Sequence, residues 1–487
     1  MKKEKVFQLV NGNIFLPDEK IVKGNILIEG ENIREVYFDN KRRNGVEDID
    51  LKGKMVVPGF IDSHTHLLQK GIEMMRPDLS IAESPEDVLD IIHMALKEYK
   101  KGNVVIASNF DESRWRNKKI PDKKDLDRVS SDNPLIIRRI CGHIAVANSM
   151  ALVKIPRKWK GVDRKTGVMK EDVPLNLSKI FPQYEEEVRE GLRKAVKRAN
   201  SLGITSIHEI AKLSSLSFYE ELGDKDELTL NVRLYIPVND LGCIKKPDFY
   251  FNKTIFGGVK IFADGSIGAR TAANTFFYKD NPGNKGTLIF TKNELERFVI
   301  DAENSGIQLI IHAIGNKAVK QVIDVYDRQI KKGNPQRHRI EHCELIDIDD
   351  IERMQRLKIV ASMQPNFIYL WSQPGDMYEQ VLGRRFETNN PVSLLKNKGV
   401  TVAFGSDSMP LSPLLGIKGT VNAPFEYQRM KKEEAITCYT KNSAFAGFSL
   451  RREGDIKKGK EANLVVLDKK VKKIYLVFYR GSCVYSI

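Results

Sequence analysis

Eight short apolar runs recur along the chain: "MVVPGFID" (55–62), "GITSIHE" (203–209), "LNVRLYI" (230–236), "GVKIFADG" (258–265), "IQLIIHAIG" (307–315), "RIEHCEL" (339–345), "IVASMQPN" (359–366) and "VTVAFGSD" (400–407). Helical periodicity fills several of the intervals, as in "EEEVREGLRKAVKRANSL" and "KNELERFVIDAENSG", the second of which ends on a glycine suited to a helix C-cap. Strands that alternate with helices build parallel sheets, and eight of them match the strand count of a (β/α)8 barrel.

Two features depart from a plain barrel. "VVIASNF" (104–110) and "LIIRRICGH" (135–143) also read as strands, which makes ten candidates for eight places. The interval between the first and second runs is about 140 residues, far longer than one βα connection, so residues 70–195 are assigned to an α/β insertion after the first barrel strand. The two ends have a different texture, with short alternating segments and Asn-Gly or Gly-centred turns in "KVFQLVNGNIF", "NILIEGENIREVYF" and "ANLVVLDKKVKKIYLVFYRGSCVYSI". The expected organisation is an α/β protein: a TIM barrel over 55–449 beside a composite β-sandwich formed by 1–54 and 450–487.

Bulk properties narrow the function classes. A length of 487 residues with 41% hydrophobic content supports a large core. The net charge of +15 is spread among interleaved acids, as in "KKEEAI", which reads as solvated helix faces and not as a nucleic-acid footprint. The five cysteines (Cys141, Cys243, Cys343, Cys438 and Cys483) form no CxxC pair, fitting reduced thiols. The N-terminus lacks the apolar core of a signal peptide and no stretch is long enough to span a bilayer, so a soluble cytoplasmic protein is expected, with no membrane partner and a homodimer as the default assembly.

The histidines carry the chemistry. His64 and His66 in "SHTH" lie two residues apart, and strand alternation points both to one side with Thr65 facing away. Of eight histidines, five close apolar runs: these two, His208, His312 and His342, while Asp407 closes the last run. In a parallel barrel all C-terminal strand ends open onto one face, so residues distant in sequence become neighbours there. Imidazoles with a carboxylate suit zinc and related divalent ions.

Taken together the motifs resemble the amidohydrolase superfamily over almost the whole chain. "PGFIDSHTH" is similar to its first-strand signature, "IHAIGN" and "RIEHCEL" to the fifth and sixth strands, and "GSDS" to the eighth. "GVKIFADGSIGART" and "RRICGHIAVANSMAL" resemble the branch that includes N-substituted formamide deformylases. The resemblance implies one or two divalent metals, zinc foremost. His64 and His66 would hold the more buried ion, His312 and His342 the second, and Lys260 would bridge both as a lysine carboxylated by carbon dioxide. Asp407 would bind metal and serve as proton acceptor. Carboxylation also answers a physical difficulty, because an ammonium is a poor neighbour for two cations and a carbamate is an anionic ligand.

The implied activity is metal-dependent hydrolysis of a small molecule at a non-peptide amide or related C–N bond, of the N-substituted formamide or N-acyl type. Water made nucleophilic by metal would attack, and Asp407 would carry its proton to the leaving nitrogen. A deaminase, cyclic amidase or lactonase on the same scaffold is one alternative; a binding or regulatory protein that has lost catalysis is another. Candidate substrate contacts are His143 and Asn148 in "GHIAVANS", His208, Arg270 in "GART", and Asp111 and Trp115 in "NFDESRW" as lid residues. All but Asp111 also have a plainer reading: loop packing for His143 and Asn148, support behind the ligands for His208, an ion pair for Arg270, and insertion core for Trp115.

Overall fold

Parallel strands covered on both faces must be apolar along their whole length, and the strands that meet this test build one sheet. The first, Phe60–Thr65, and the second, Ile204–Ile210, are buried at every position. They are followed in strict chain order by Asn231–Pro237, Thr254–Phe262, Leu309–Ala313, Arg339–His342, Val360–Met363 and Val402–Phe404, each parallel to its neighbour. The computed structural model describes residues 5–487 apart from 40–41, 113–114, 141–143, 171, 176, 178–179, 182–183 and 242–252.

The eight strands curl into a nearly closed barrel. The last strand reaches the first through Asp407 N, which donates to His64 O at 2.7 Å, and Ser406 N, which donates to Asp62 Oδ1 at 2.9 Å. Gly405 permits the approach, since a Cβ there would sit 2.5 Å from His64 N. Helices lie between the strands as the periodicity predicts. Lys292–Ser305 starts on a reciprocal Thr291–Glu294 capping box and stops at Gly306 in the left-handed region, φ 65°.

One predicted run divides. "MVVPGFID" is two strands, because Met55–Pro58 pairs with Val6–Phe15 and Leu464–Leu467 in a different sheet, and only Phe60–Thr65 enters the barrel. Proline has no N–H to continue a ladder, so the chain leaves the first sheet at Pro58 and crosses to the second through Gly59. The two chain ends do assemble together. They form a single mixed eight-stranded sheet in the order Ser482–Ser486, Ile474–Tyr479, Leu464–Leu467, Met55–Pro58, Val6–Phe15, Ile21–Glu29, Asn32–Tyr37, with Glu47–Asp50 added beside Val6–Phe15. Its core mixes Phe7, Leu9, Ile26 and Val56 with Leu464, Val466 and Phe478 from the other end of the chain.

The chain divides into two compact units, Met1–Leu67 with Val196–Ile487, and Leu68–Ala195. The second has its own four-stranded sheet, ordered Val168–Lys170, Ile144–Ala147, Leu135–Arg139, Val105–Phe110. The two surplus strand candidates are thereby placed outside the barrel. Among the described residues no helix is long and apolar enough to cross a membrane, and Cys343, Cys438 and Cys483 are free thiols.

Candidate metal centre

The C-terminal strand ends bring His64, His66, Lys260, His312, His342 and Asp407 to one place in the barrel unit. His64, His342 and Asp407 each present a ligand atom, and these atoms lie within 4.8 Å of one another. Asp407 Oδ1 is 3.2 Å from His66 Nε2 and 3.5 Å from His64 Nε2. The His342 ring lies 4.8 Å from that of His64 and 4.4 Å from that of His312, centroid to centroid.

Backbone geometry aims these groups. Register opposes Glu341 to His312 on adjacent strands, so both face inward, and simple alternation would turn His342 away. His342 and Cys343 instead take left-handed φ values of 69° and 50°, which lets neighbours Glu341 and His342 both reach the centre. Asp407 and Ser408 repeat the device at 53° and 58°. Such conformations cost on the order of 1–3 kcal/mol each and persist where the surroundings over-determine them. Thr65, the spacer in "SHTH", bonds Ser408 Oγ at 2.8 Å and so braces the eighth-strand loop.

Ring nitrogens not aimed at the centre are tied down. His64 Nδ1 hydrogen-bonds Glu341, His66 Nδ1 bonds Ile210 O at 3.0 Å, and His312 Nε2 donates to Gly265 O at 3.0 Å. The electrostatics favour neutral imidazoles. Burial and the nearby Lys260 cation bring His64 down to about 4 and His312 to about 3, and burial pulls His342 down as well. Burial alone would lift Asp407, but His66, His64 and Lys260 hold it below the ordinary aspartate value, as an anion.

Lys260 is fully buried, its Nζ has no hydrogen-bond partner among the described residues, and it lies 4.8 Å from the centroid of the Phe262 ring. Burial lowers its pKa to about 8, which makes the neutral amine accessible near physiological pH. An orphaned buried amine among four imidazoles and a carboxylate is costly as a simple cation and intelligible as a ligand-forming nucleophile. The donor set therefore fits a divalent metal site.

Some important groups are absent from the sequence-based list. Glu341 and Arg339 lie beneath His64, joined by Arg339 Nε donating to Glu341 Oε1 at 2.8 Å. Burial raises and Arg339 and His64 lower the Glu341 pKa, which ends well below the usual carboxylate range. Asp264 accepts from Ala273 N, Ile314 N and Gly315 N at 2.9, 3.0 and 2.9 Å, lashing the segment after the fourth strand to the end of the fifth. Burial still pushes Asp264 up to about 7. The sequence signal was there in "HRIEH" and "FADG": charged residues inside otherwise apolar strand runs.

The candidate substrate contacts are divided between the two units. His208 is 2% exposed and its Nδ1 faces Arg339 Nη1 at 2.8 Å, so this ring nitrogen supports a buried arginine. Arg270 Nε donates to Asp280 Oδ2 at 3.0 Å, the ion-pair alternative. In the second unit, Asn148 is fully buried, caps helix Ser149–Lys154 through Ala151 N, and bonds Leu135 N, Ser130 O and Asn133 O. Trp115 packs in that unit's core with Nε1 donating to Ala82 O at 2.8 Å, and Asp111 pairs with Arg139 at 3.2 Å. A substrate role for Asn148 or Trp115 would need these buried bonds replaced. His143 falls outside the described residues.

Comparison with known proteins agrees with this geometry. The sequence profile of a family described as Amidohydrolase family matches residues 47–475. The YtcJ protein of Bacillus subtilis (strain 168), named as an amidohydrolase, is 28% identical over 472 residues, covering 90% of this chain and 87% of its own. An N-substituted formamide deformylase of Arthrobacter pascens is 27% identical over 513 residues, covering 95% and 93%. Among solved structures, an uncharacterised metal-dependent hydrolase of Pyrococcus furiosus superposes with a TM-score of 0.81 at 27% identity, over 96% of this chain and 99% of that one.

Proposed function

The chain belongs to the amidohydrolase family, and from that premise we propose that it hydrolyses a non-peptide amide or related C–N bond of a small molecule, with an N-substituted formamide or N-acyl compound as the leading substrate class. The observation that carries the reading is the convergence of His64, His342 and Asp407 within 4.8 Å, beside the partnerless buried Nζ of Lys260. The relative of Arthrobacter pascens, whose name specifies formamide deformylation, supports the substrate class.

In this reading His64, His66, His312, His342 and Asp407 would hold one or two divalent ions, zinc foremost. Lys260 would add an anionic carbamate ligand, formed when its neutral amine attacks carbon dioxide and releases a proton. A cation bound there supplies Lewis-acid chemistry, lowering the pKa of water and polarising the scissile carbonyl. The remaining work belongs to the protein. Asp407 is held ionised by its imidazole neighbours and Lys260, so its carboxylate is ready to accept a proton and, once protonated, to return it to the leaving nitrogen. The tied ring nitrogens of His64, His66 and His312 fix the orientation of each imidazole before substrate arrives.

The test is to load purified protein with zinc, count metal per chain, and assay formamides, N-acyl amines, ureas, cyclic amides, lactones and aminated heterocycles. Release of acid and amine from the first two groups, abolished by chelator and restored by zinc, is the expected result. Ammonia release from a heterocycle would move the assignment to deamination, and metal-replete protein inert to the whole panel would move it to binding.

A further inference from the structure

Arg339 is the largest fully buried side chain of the protein's described residues, and it sits on the sixth strand two positions before Glu341. That spacing puts both on the same face of the strand, one below the other, with Glu341 nearer the strand's C-terminal end. All three guanidinium nitrogens are engaged. Nε donates to Glu341 Oε1 at 2.8 Å, Nη2 donates to Ser63 O at 3.1 Å, Nη1 faces His208 Nδ1 at 2.8 Å, and the Tyr235 ring lies 5.0 Å from its Cζ. The other carboxylate oxygen of Glu341 meets His64 Nδ1.

The directions of these bonds are fixed by chemistry. Guanidinium N–H groups only donate, so Glu341 Oε1 is an acceptor and His208 Nδ1 accepts through its lone pair. With one oxygen held by Arg339, the second is left to take the Nδ1 proton of His64, and the His64 Nε2 lone pair then points toward Asp407 and His342. The same fork holds the carbonyl of Ser63, the residue before His64, so ring and backbone are located by one group.

We propose that Arg339 is a positioning residue for the metal centre: through Glu341 and the Ser63 carbonyl it sets the tautomer and orientation of His64, so that Nε2 is presented as a ligand before any metal arrives. The inference rests on the metal-centre reading above and adds a chain of command beneath it. Lysine does not substitute, because a point charge cannot make three divergent planar bonds.

The test measures metal retention and not turnover. Zinc affinity, by chelator competition, and the absorption spectrum of cobalt-loaded protein are recorded for the parent, Glu341→Gln, Arg339→Gln, Arg339→Lys and the double Gln variant, with circular dichroism as the folding control. Each single Gln variant is expected to retain zinc about 10–100-fold less tightly and to alter the cobalt spectrum. Arg339→Lys is expected to resemble Arg339→Gln. The double variant is expected to be no weaker than the weaker single, as for two members of one chain. Folded Glu341→Gln with parental zinc affinity and cobalt spectrum would overturn the proposal, as would additive losses. Should Arg339→Gln fail to fold, Glu341→Gln alone decides, being close to isosteric. A parent that binds neither ion would sink the metal-centre reading and this inference with it, whereas a parent that binds both and is indifferent to Glu341 sinks only the inference.

Discussion

His66 Nε2 stands 3.2 Å from Asp407 Oδ1, joining the end of the first barrel strand to the end of the eighth. The contact exists because Asp407 N bonds His64 O and Gly405 lets the two strand ends approach, so barrel closure and assembly of the candidate site are one event. A destabilised closure should therefore appear as lost metal before it appears as lost secondary structure.

Asp407→Asn keeps the size of the side chain and removes its capacity to take a proton. Turnover is expected to fall by roughly 10²–10⁴-fold, the range for a lost general base. Metal content measured on the same samples separates proton transfer from ligation. A loss under tenfold at full metal occupancy would exclude the proton-transfer role.

Lys260→Ala removes the buried amine and with it the proposed bridge. Metal per chain is expected to drop and hydrolysis to become undetectable, while a high-resolution map or intact mass of the parent should show the added carboxyl group on Lys260. Removing an orphaned buried amine should leave the metal-free variant no less stable to heat than the parent, apart from the cost of the cavity. Full occupancy and normal turnover in the variant would eliminate the bridge.

Much of this arrangement was legible in the sequence, because a parallel barrel maps strand ends onto one face. Knowing that "GITSIHE", "IQLIIHAIG" and "VTVAFGSD" were strands was enough to place His312 and Asp407 near "SHTH". What alternation could not deliver was direction. Glu341 and His342 are adjacent and should face opposite ways; only the left-handed backbone at His342 turns both to the centre, and no residue type announces it. His208 shows the converse: it also closes a strand, yet its ring is spent on Arg339. Asn148 and Trp115 are candidate substrate contacts only through the resemblance of "GHIAVANS" and "NFDESRW" to the family, and both make buried hydrogen bonds within their own unit. The division of "MVVPGFID" at Pro58 was signalled by the proline itself.

Arg270→Gln distinguishes an ion pair from a substrate clamp. The Arg270 fork faces Asp280, with both side chains about one-third exposed, and an exposed pair of that kind contributes at most about 1 kcal/mol. KM is expected to stay within about threefold of the parent, with a small drop in melting temperature. A tenfold or larger rise in KM at unchanged kcat would assign Arg270 to uniform binding of substrate instead.

Glu303 and His338 offer a pH-dependent test away from the metal ligands. His338 is fully buried; its Nδ1 accepts from Leu309 N at 2.9 Å, so Nε2 carries the proton and donates to Glu303 Oε1, also at 2.9 Å. Burial alone would raise the Glu303 pKa, but this hydrogen bond and Lys331 lower it below the ordinary 4.5. A carboxylate whose pKa is depressed on folding contributes stability that is fully present above its unfolded value and fades as pH falls through the folded one. Glu303→Gln keeps an acceptor but no charge, so it should be less stable than the parent by about 1 kcal/mol at pH 7. Thermal unfolding followed from pH 7 downward should show that gap constant to about 4.5, the model-peptide range for glutamate, and closing below it as the parent's carboxylate protonates. A gap that widens in acid, or a variant equal to the parent at neutral pH, would contradict the ionised Glu303 carboxylate at this bond.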